Sequence, residues 1–466
     1  SCCRCQRQSN DKMCYQIEKS MSKLSICQAK IAKMVLRGFL LLVLISLFSY
    51  DGRYVKPFAP VPSGLYGNYL EPVHDRGHTI PKRHDAAQDA EAVVSLNAAL
   101  EMKNNGKADK ALKLFKHAFA LSPKHADILN HYGEFLEDTK NDVVKADQFY
   151  TLALTNYPEH TGALVNRQRT ASIVENLDRE MLKKIDEKRD ALLSIPENNS
   201  ALRRAKKEAY FQHIYHTVGI EGNTMTLQQT RSILETRVAV SGKSIDEHNE
   251  ILGLDAAMKY INATLLYRLR DITMGDILEI HKRVLGHVDP IEGGNIRRTQ
   301  VYVGGHIPPG PSEIHKLMSQ FLEWLNSEDA LDLHPVRYAA LAHYKLVHIH
   351  PFIDGNGRTS RLLMNLVLMQ AGYPPVIIAK QHRHLYYQHL QTANEGDVRP
   401  FVRFIAQCTE RTLNLYLWAT NEFSHMVPAI GEPKSSDFAK ELNPFEGTTE
   451  NKEMNDTCGQ VSVCIT

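Results

Sequence analysis

One short stretch limits what this chain can fold into more than any other. Residues 350–361, HPFIDGNGRTSR, form a polar segment with two glycines, and a run rich in Leu and Met follows until Gly372. Because Pro374 and Pro375 come next, we expect this run to be a buried helix with a glycine C-cap. The N-terminus of that helix then faces the glycine loop, where converging N–H groups and the helix dipole favour an anion. The stretch therefore predicts a phosphate site at the tip of a buried helix.

Four side chains in this stretch supply complementary chemistry. His350 can be a neutral base near physiological pH. Asp354 can hold Mg²⁺ (or Mn²⁺), since such an ion binds through one or two carboxylates together with substrate phosphates. Arg358 and Arg361 share one helix face, so both guanidinium groups can hold phosphate oxygens. A Walker A loop is excluded, because no Lys-Ser/Thr pair follows the glycines.

The full pattern H-P-F-x-D-G-N-G-R-x-x-R resembles the signature of the Fic family, whose members transfer AMP from ATP to a protein hydroxyl. Every position from His350 to Arg361 matches. The resemblance implies a mainly-α fold in which an all-α Fic domain carries a small β-hairpin flap. It also implies that His350 takes the proton from a target Thr or Ser and that Asp354 binds the divalent ion. The residues that it assigns to ATP here are Gly355, Asn356, Gly357, Arg358 and Arg361.

A second motif lies upstream. Residues 217–223, TVGIEGN, resemble the inhibitory motif S/T-x-x-x-E-G/N of the Fic family. The carboxylate of Glu221, placed beside Arg361, would pair with the guanidinium that otherwise holds the γ-phosphate of ATP. Resemblance to the animal members of the endoplasmic reticulum further implies that Glu221 aligns water for removal of AMP from a modified target. The alternative is an ordinary glutamate at a helix end.

Residues 299–306, TQVYVGGH, alternate in character and then turn on two glycines, which predicts a β-hairpin. The resemblance assigns this hairpin the role of the Fic flap, which aligns the target segment by strand-like pairing. A surface hairpin without a binding role is the alternative. The residues expected in the flap are Thr299, Gln300, Val301, Tyr302, Val303, Gly304 and His306.

Residues 386–401, YYQHLQTANEGDVRPF, match the family region that lines the adenosine pocket. The resemblance assigns that role to Tyr386, Tyr387 and Asn394. Adjacent tyrosines on a helix also serve as packing residues, which is the alternative for this pair.

A helical pattern occurs twice before the catalytic region. The first copy contains Ala111, Phe115, Ala118 and Pro123, and the second contains Ala146, Tyr150, Ala153 and Pro158. This spacing is that of a tetratricopeptide repeat, in which small residues let helices pack closely and Pro ends the repeat. A plain pair of helical hairpins is the alternative.

A charged stretch, residues 161–197, predicts a long amphipathic linker helix that caps the repeats and joins them to the Fic domain. The residues expected on its buried face are Val165, Ile173, Leu177, Leu182, Ile185 and Leu192.

The amino-terminal part predicts a membrane anchor. Residues 34–50 are mostly apolar and residues 1–33 are rich in Lys and Arg, which by the positive-inside rule places the amino end in the cytosol. We expect a single-pass type II signal anchor in the endoplasmic reticulum membrane, with the catalytic domain in the lumen. A cleaved signal peptide and a short buried helix are the alternatives. Lumenal exposure makes Asn262 the favoured N-glycosylation site, ahead of Asn198 and Asn455.

Composition restricts the partners and the chemistry of the fold. The chain has 55 Lys plus Arg against 53 Asp plus Glu, so nothing in its charge indicates nucleic acid. Of its eight cysteines only Cys408 lies in the part predicted to fold, so no disulfide framework is expected.

The expected organisation has seven parts. They are a cytosolic tail (1–33), a signal anchor (34–50), a stalk (51–88), two tetratricopeptide repeats (89–160), a linker helix (161–197), a Fic catalytic domain (198–425) and a flexible tail (426–466). The resemblance implies a lumenal heat-shock chaperone, BiP, as protein substrate held by the repeats, and a homodimer formed through the catalytic domain.

Two rival functions remain. One is a Fic enzyme that transfers another phosphoryl group, and the intact Asp354 with its two neighbouring arginines favours ATP as the donor. The other is a membrane-tethered repeat scaffold with an inactive nucleotide pocket, against which His350 and both arginines argue.

Overall fold

The computed structural model describes residues 86–268, 271–420 and 430, and this part of the chain is almost entirely helical. A single antiparallel bridge, between Val303 and His306, is the only β pairing among these residues. The prediction of a mainly-α fold is confirmed.

The helices, numbered in chain order, form a repeat region, one long helix and a helical bundle. The repeat region contains α1 (Ala86–Asn104), α2 (Ala108–Leu121), α3 (Ala126–Lys140) and α4 (Val143–Asn156). The long helix is α5 (Thr161–Leu193). The bundle contains α6 (Ser200–Ile220), α7 (Leu227–Thr236), α8 (Ile245–Tyr260), α9 (Met274–Leu285), α10 (Pro311–Leu325), α11 (Glu328–Leu331), α12 (Pro335–Ile349), α13 (Asn356–Gln370), α14 (Arg383–Asn394) and α15 (Arg399–Ala419). A π-helical turn, Ile261–Leu265, extends α8, and a 3₁₀ turn, Lys380–His382, precedes α14.

The repeat region consists of two helical hairpins, α1 with α2 and α3 with α4. Phe115 stacks on Tyr132 with ring centroids 5.5 Å apart, in a core that also buries Tyr150. A Cβ atom at Gly133 would lie 2.5 Å from Cε1 of Tyr150, so only glycine lets α3 and α4 approach this closely. The close packing predicted for these helices is present, and their assignment as tetratricopeptide repeats stays a prediction.

The long helix α5 is present as predicted, and its buried face differs from the prediction in the first half. The residues buried as expected are Leu182, Ile185 and Leu192. The residues exposed against expectation are Val165, Ile173 and Leu177, at 63%, 42% and 45%. The predicted face is therefore wrong before residue 178.

Polar side chains share the buried positions in the first half of α5 with Ala163 and Val174. The hydroxyl of Thr170 donates to Oδ1 of Asp147 at 2.7 Å, and Nδ2 of Asn166 donates to Oδ1 of Asn130 at 3.0 Å. Because such bonds satisfy buried polar groups, Thr170 and Asn166 can lie on the buried face. A hydrophobic pattern could not have indicated it.

Helices α12 and α13 lie side by side and position the loop 350–355 between them. Pro335 occupies the first turn of α12, as predicted, and Nδ1 of His334 accepts a hydrogen bond from the N–H of Val336 at 3.2 Å. Helix α13 is buried along nearly its whole length, from Asn356 to Leu368. The predicted buried helix after the glycine loop is therefore confirmed.

Several predicted segments lie outside the described residues. These are the cytosolic tail (1–33), the signal anchor (34–50), most of the stalk (51–88), nearly all of the tail (426–466) and Asn455. Residues 86–88, assigned to the stalk, belong instead to α1, in keeping with the high helix propensity of alanine. None of the helices in the described ranges combines the length and apolar character needed to cross a membrane.

Candidate active site

His350 ends α12 in the left-handed conformation, with φ 52° and ψ 58°. Its Nδ1 donates to the carbonyl of Val347 at 3.1 Å, so Nε2 carries the free lone pair of the neutral ring. Burial lowers the pKa of His350 below its ordinary value of 6.5. His350 is therefore a neutral base at pH 7.

The tip of α13 offers backbone donors beside this ring. Gly355 precedes the helix with φ 77°, and the N–H groups of Asn356, Gly357 and Arg358 have no acceptor within the helix. Oδ1 of Asn356 accepts from the N–H of Phe352 at 3.0 Å and its Nδ2 donates to the carbonyl of Phe352 at 2.9 Å. The side chain of Asn356 thus braces the loop, and its contribution to an anion site is its N–H.

Glu221, at the end of α6, places its carboxylate directly over this tip. NH2 of Arg361 donates to Oε1 of Glu221 at 2.5 Å, and the hydroxyl of Tyr387 donates to Oε2 at 3.4 Å. A Cβ atom at Gly357 would lie only 2.6 Å from Oε1 of Glu221, so this glycine admits the carboxylate. The position where an anion would bind carries the protein's own negative charge.

Arg358 is held on the other side of the tip by two carboxylates. Its NH2 donates to Oδ2 of Asp354 at 2.8 Å and its NH1 donates to Oε1 of Glu250 at 3.1 Å. Burial raises the pKa of Glu250. Arg358 and Arg361 are both nearly inaccessible, at 3% and 1%, so their carboxylate partners compensate two desolvated charges.

Asp354 fits the part of a divalent-ion ligand. Its side chain is 66% exposed, and its Oδ1 accepts the N–H of Gly355 at 2.6 Å. Among the residues that the structure describes, no group of three or more His, Cys, Asp or Glu converges. A magnesium site of one carboxylate completed by substrate phosphates and water requires no such group.

The predicted flap hairpin is present in a minimal form. The N–H of Val303 donates to the carbonyl of His306 at 3.1 Å and the reverse bond measures 2.9 Å, and the turn between them has Gly304 at φ 55°. Among the described residues no strand extends from this bridge, and Pro308 and Pro309 remove two ladder donors. The hairpin is therefore shorter than the alternating pattern of residues 299–306 indicated.

The segment is nevertheless fastened to the site. Nε2 of Gln300 donates to the carbonyl of Pro308 at 2.8 Å, and Nε2 of His306 donates to the carbonyl of His348 at 3.2 Å. The outward side chains are left free, with Tyr302 74% exposed and Ile307 61% exposed. We call residues 299–309 the flap segment.

Comparisons with known proteins agree with this geometry. A profile described as Fic/DOC family matches residues 271–368. The chain is 63% identical over 398 residues, 85% of this chain and 79% of the relative, to a protein adenylyltransferase Fic from Aedes aegypti. It is 68% identical over 409 residues, 84% of this chain and 82% of the relative, to a protein adenylyltransferase Fic from Culex quinquefasciatus.

The chain belongs to the Fic family. Among solved structures, Fic-1 from C. elegans is similar at 44% identity with a TM-score of 0.65, over 70% of this chain and 98% of that one.

In the region of this Fic protein predicted to line the adenosine pocket, the three residues differ in exposure, and their role towards adenosine stays a prediction. Tyr386 is 1% exposed, and its hydroxyl bonds Nε2 of His343 at 3.0 Å and accepts NH1 of Arg361 at 3.3 Å. Oδ1 of Asn394 lies 2.9 Å from Nδ1 of His348. Tyr386 thus supports Arg361 from the core and Asn394 fixes His348, whereas Tyr387, 39% exposed, lies at the mouth of the site.

Besides Glu250, two residues of this Fic site were missed by the sequence analysis. His281 accepts the N–H of Gly294 at Nδ1 (2.9 Å), donates from Nε2 to the carbonyl of Asp354 (2.9 Å) and stacks on Phe352 at 3.6 Å. Burial lowers its pKa to about 4, so the ring stays neutral. Arg297 donates from Nε to the carbonyl of His350 at 2.7 Å.

Their partners are backbone atoms far away in sequence. The sequence therefore carried no local signal for either residue.

Proposed function

We propose that this protein transfers AMP from ATP to a Thr or Ser hydroxyl of the lumenal chaperone BiP, that Glu221 restrains this reaction, and that the same site removes AMP from the modified target. The contact between Glu221 and Arg361 over the tip of α13 carries the proposal. It joins a phosphate-binding arrangement to a carboxylate that competes for it. The relatives named protein adenylyltransferase support AMP as the transferred group.

AMP transfer follows from the placement of these groups. The N–H groups at the tip of α13, with Arg358 and Arg361, hold the phosphates and stabilise charge that develops on the leaving pyrophosphate. Nε2 of His350 accepts the proton of the target hydroxyl as its oxygen bonds to the α-phosphorus. The bond from the α-phosphorus to the bridging oxygen breaks in the same step. Asp354 would hold Mg²⁺ (or Mn²⁺), which neutralises phosphate charge when bound.

AMP removal uses the same groups in the opposite direction. A water oxygen bonds to the phosphorus as the bond from the phosphorus to the target oxygen breaks, and protonated His350 gives its proton to that leaving oxygen. The water loses one proton to solvent, and AMP leaves. Glu221, whose carboxylate lies against the helix tip, is the group placed to align that water. The presence of one carboxylate would thus oppose AMP transfer and support AMP removal.

Location and assembly belong to the same proposal. A lumenal substrate requires the catalytic region to lie in the lumen of the endoplasmic reticulum, and residues 34–50 are the segment proposed to anchor the chain there. The repeats would hold the chaperone, and the catalytic region would form a homodimer. Asn262 is exposed in the π-helical turn, which supports its use as a glycosylation site.

The test is the intact mass of BiP after incubation with ATP and each variant. Glu221→Gly is expected to add AMP, and the matched Glu221→Gly/His350→Ala variant is expected to add none. Wild type is expected to return the modified chaperone to its original mass. No AMP adduct with Glu221→Gly would overturn the proposed transfer, and persistence of the adduct with wild type would overturn removal.

A further inference from the structure

Arg297 is a buried cation whose role lies outside the phosphate site. Its side chain is 2% exposed, and no carboxylate within the described ranges forms an ion pair with it. A guanidinium buried in this way costs several kcal/mol unless its donors are satisfied. The chain meets that requirement with backbone oxygens alone.

Three side-chain hydrogen bonds connect Arg297 to three separate places. Nε donates to the carbonyl of His350 at 2.7 Å, NH1 donates to the carbonyl of Thr299 at 2.9 Å, and NH2 donates to the carbonyl of Pro309 at 2.6 Å. The N–H of Arg297 also donates to the carbonyl of Pro351 at 2.9 Å. One planar group therefore fixes two points of one loop and the carbonyl of His350 at once.

These places are the two ends of the flap segment and His350, the proposed proton acceptor. Thr299 is the first residue of the flap segment and Pro309 is the last, so Arg297 holds its two ends together. The same guanidinium orients the carbonyl of His350, whose ring would accept the target's proton. A fork of donors in one plane can do this, whereas the single ammonium of lysine cannot reach all three oxygens in that geometry.

Resting on the proposed function, we propose that Arg297 is a positioning residue that sets the distance between the flap segment and His350, so that a protein hydroxyl aligned on the flap reaches Nε2. Arg297 takes no part in binding ATP. Water, which needs no flap to reach the α-phosphorus, depends on Arg297 much less than a protein target does.

The test compares two products of one enzyme. In the Glu221→Gly background, ATP is incubated with BiP, and AMP attached to protein is measured against AMP released to water. Arg297→Lys and Arg297→Gln are the variants. The matched control is Arg298→Gln, since Arg298 is the adjacent exposed arginine.

Both Arg297 variants are expected to lower the ratio of protein-bound to free AMP about 10- to 100-fold, the range for a small misplacement of reacting groups. The dissociation constant of ATP is expected to stay within about twofold of the parent. Arg298→Gln is expected to leave the ratio and the affinity unchanged. An unchanged ratio, or a parallel loss of both products and of ATP binding, would show that Arg297 is merely structural.

Hydrogen exchange separates this proposal from the proposed function. Failure of the Glu221→Gly parent to modify any protein would overturn the function. Hydrogen exchange at the N–H groups of Val303 and His306 would still test whether Arg297 holds the flap segment in place. It is expected to become faster in Arg297→Lys than in wild type, and equal rates would overturn the positioning role.

Discussion

At the residue scale, the site is a competition between charges for one place. Arg361 is 1% exposed and pairs with Glu221 over the backbone donors of α13. A phosphate entering there meets both a guanidinium already paired and a carboxylate that repels it. ATP affinity should therefore depend on the charge of Glu221 more than on its shape.

Glu221→Gln keeps the shape of the side chain and removes its charge. A hydrogen bond to a charged group contributes about 1.5–3 kcal/mol, so ATP should bind about 10- to 100-fold more tightly to this variant than to wild type. Calorimetric titration with ATP measures the change. Equal affinities would show that Glu221 does not compete with the nucleotide.

His350 gives a prediction for the pH dependence. The ring must be neutral to accept a proton, and burial lowers its pKa below 6.5, so it stays neutral as the pH falls through the ordinary histidine range. AMP transfer by Glu221→Gly should therefore be full at pH 7 and decline only below pH 6.5. Initial rates measured across this range test it, and an acid limb centred above 6.5 would contradict the described environment.

The sequence predicted the residues that carry the chemistry of this site better than the residues that hold those in position. His350, Asp354, Arg358 and Arg361 lie within one motif, so their meeting follows from one loop and one helix. Arg297 escaped prediction because it binds carbonyl oxygens, which every residue has.

At the element scale, close helix packing in the repeat region depends on one missing side chain. Gly133 lies on α3 opposite Tyr150 of α4. A Cβ atom at Gly133 would be only 2.5 Å from Cε1 of that ring. A methyl group there must displace the ring or separate the helices. A small residue here agrees with the predicted repeat, in which small residues let helices pack closely.

Gly133→Ala should lower the free energy of unfolding by about 1–3 kcal/mol, the usual cost of overpacking. The matched control is Gly275→Ala in the first turn of α9, where a Cβ atom meets nothing closer than 3.6 Å. That change should be neutral or stabilising, because alanine favours the helix. Urea unfolding of both variants decides, and equal effects would contradict the packing described.

Elements were predicted less well where polar groups decide their orientation. The length of α5 followed from its composition, but Thr170 and Asn166 turn its first half away from the apolar pattern. The flap segment alternates like a strand, yet it has no neighbour to pair with beyond its own turn.

At the scale of the whole molecule, partly buried ion pairs connect α4 and α5 with α15 of the bundle. Arg399 of α15 donates to Asp147 of α4 at 2.5 Å, and Arg403 of α15 donates to Asp178 of α5 at 2.7 and 2.9 Å. Asp147 is 1% exposed, and Arg399 and Thr170 satisfy its carboxylate in place of water. The described part of the chain is held together across these elements by charge as well as by apolar packing.

Buried histidines predict how this assembly responds to acid. Burial lowers the pKa of His213 to about 4, of His216 to about 3 and of His281 to about 4. Each is protonated more readily in the unfolded chain, where the pKa is about 6.5. Their contribution to stability is therefore complete above pH 6.5 and is lost progressively from there down to about pH 4 for His213 and His281 and to about pH 3 for His216.

The urea concentration at half unfolding should accordingly decrease when the pH is lowered from 7 to 5. Ordinary carboxylates stay charged over this range, so they do not cause the decrease. His213→Gln, which cannot be protonated, should show a smaller decrease over the same range than wild type. A midpoint independent of pH, or one that rises towards pH 5, would contradict the buried neutral rings.

The most direct test of the central claim is which phosphorus of ATP reaches protein. Glu221→Gly is incubated with BiP and ATP labelled at the α or the γ position, beside the Glu221→Gly/His350→Ala control. The site described here predicts label on protein from the α position alone, and none with the control. Label arriving from the γ position, or label that survives the loss of His350, would contradict AMP transfer at this site.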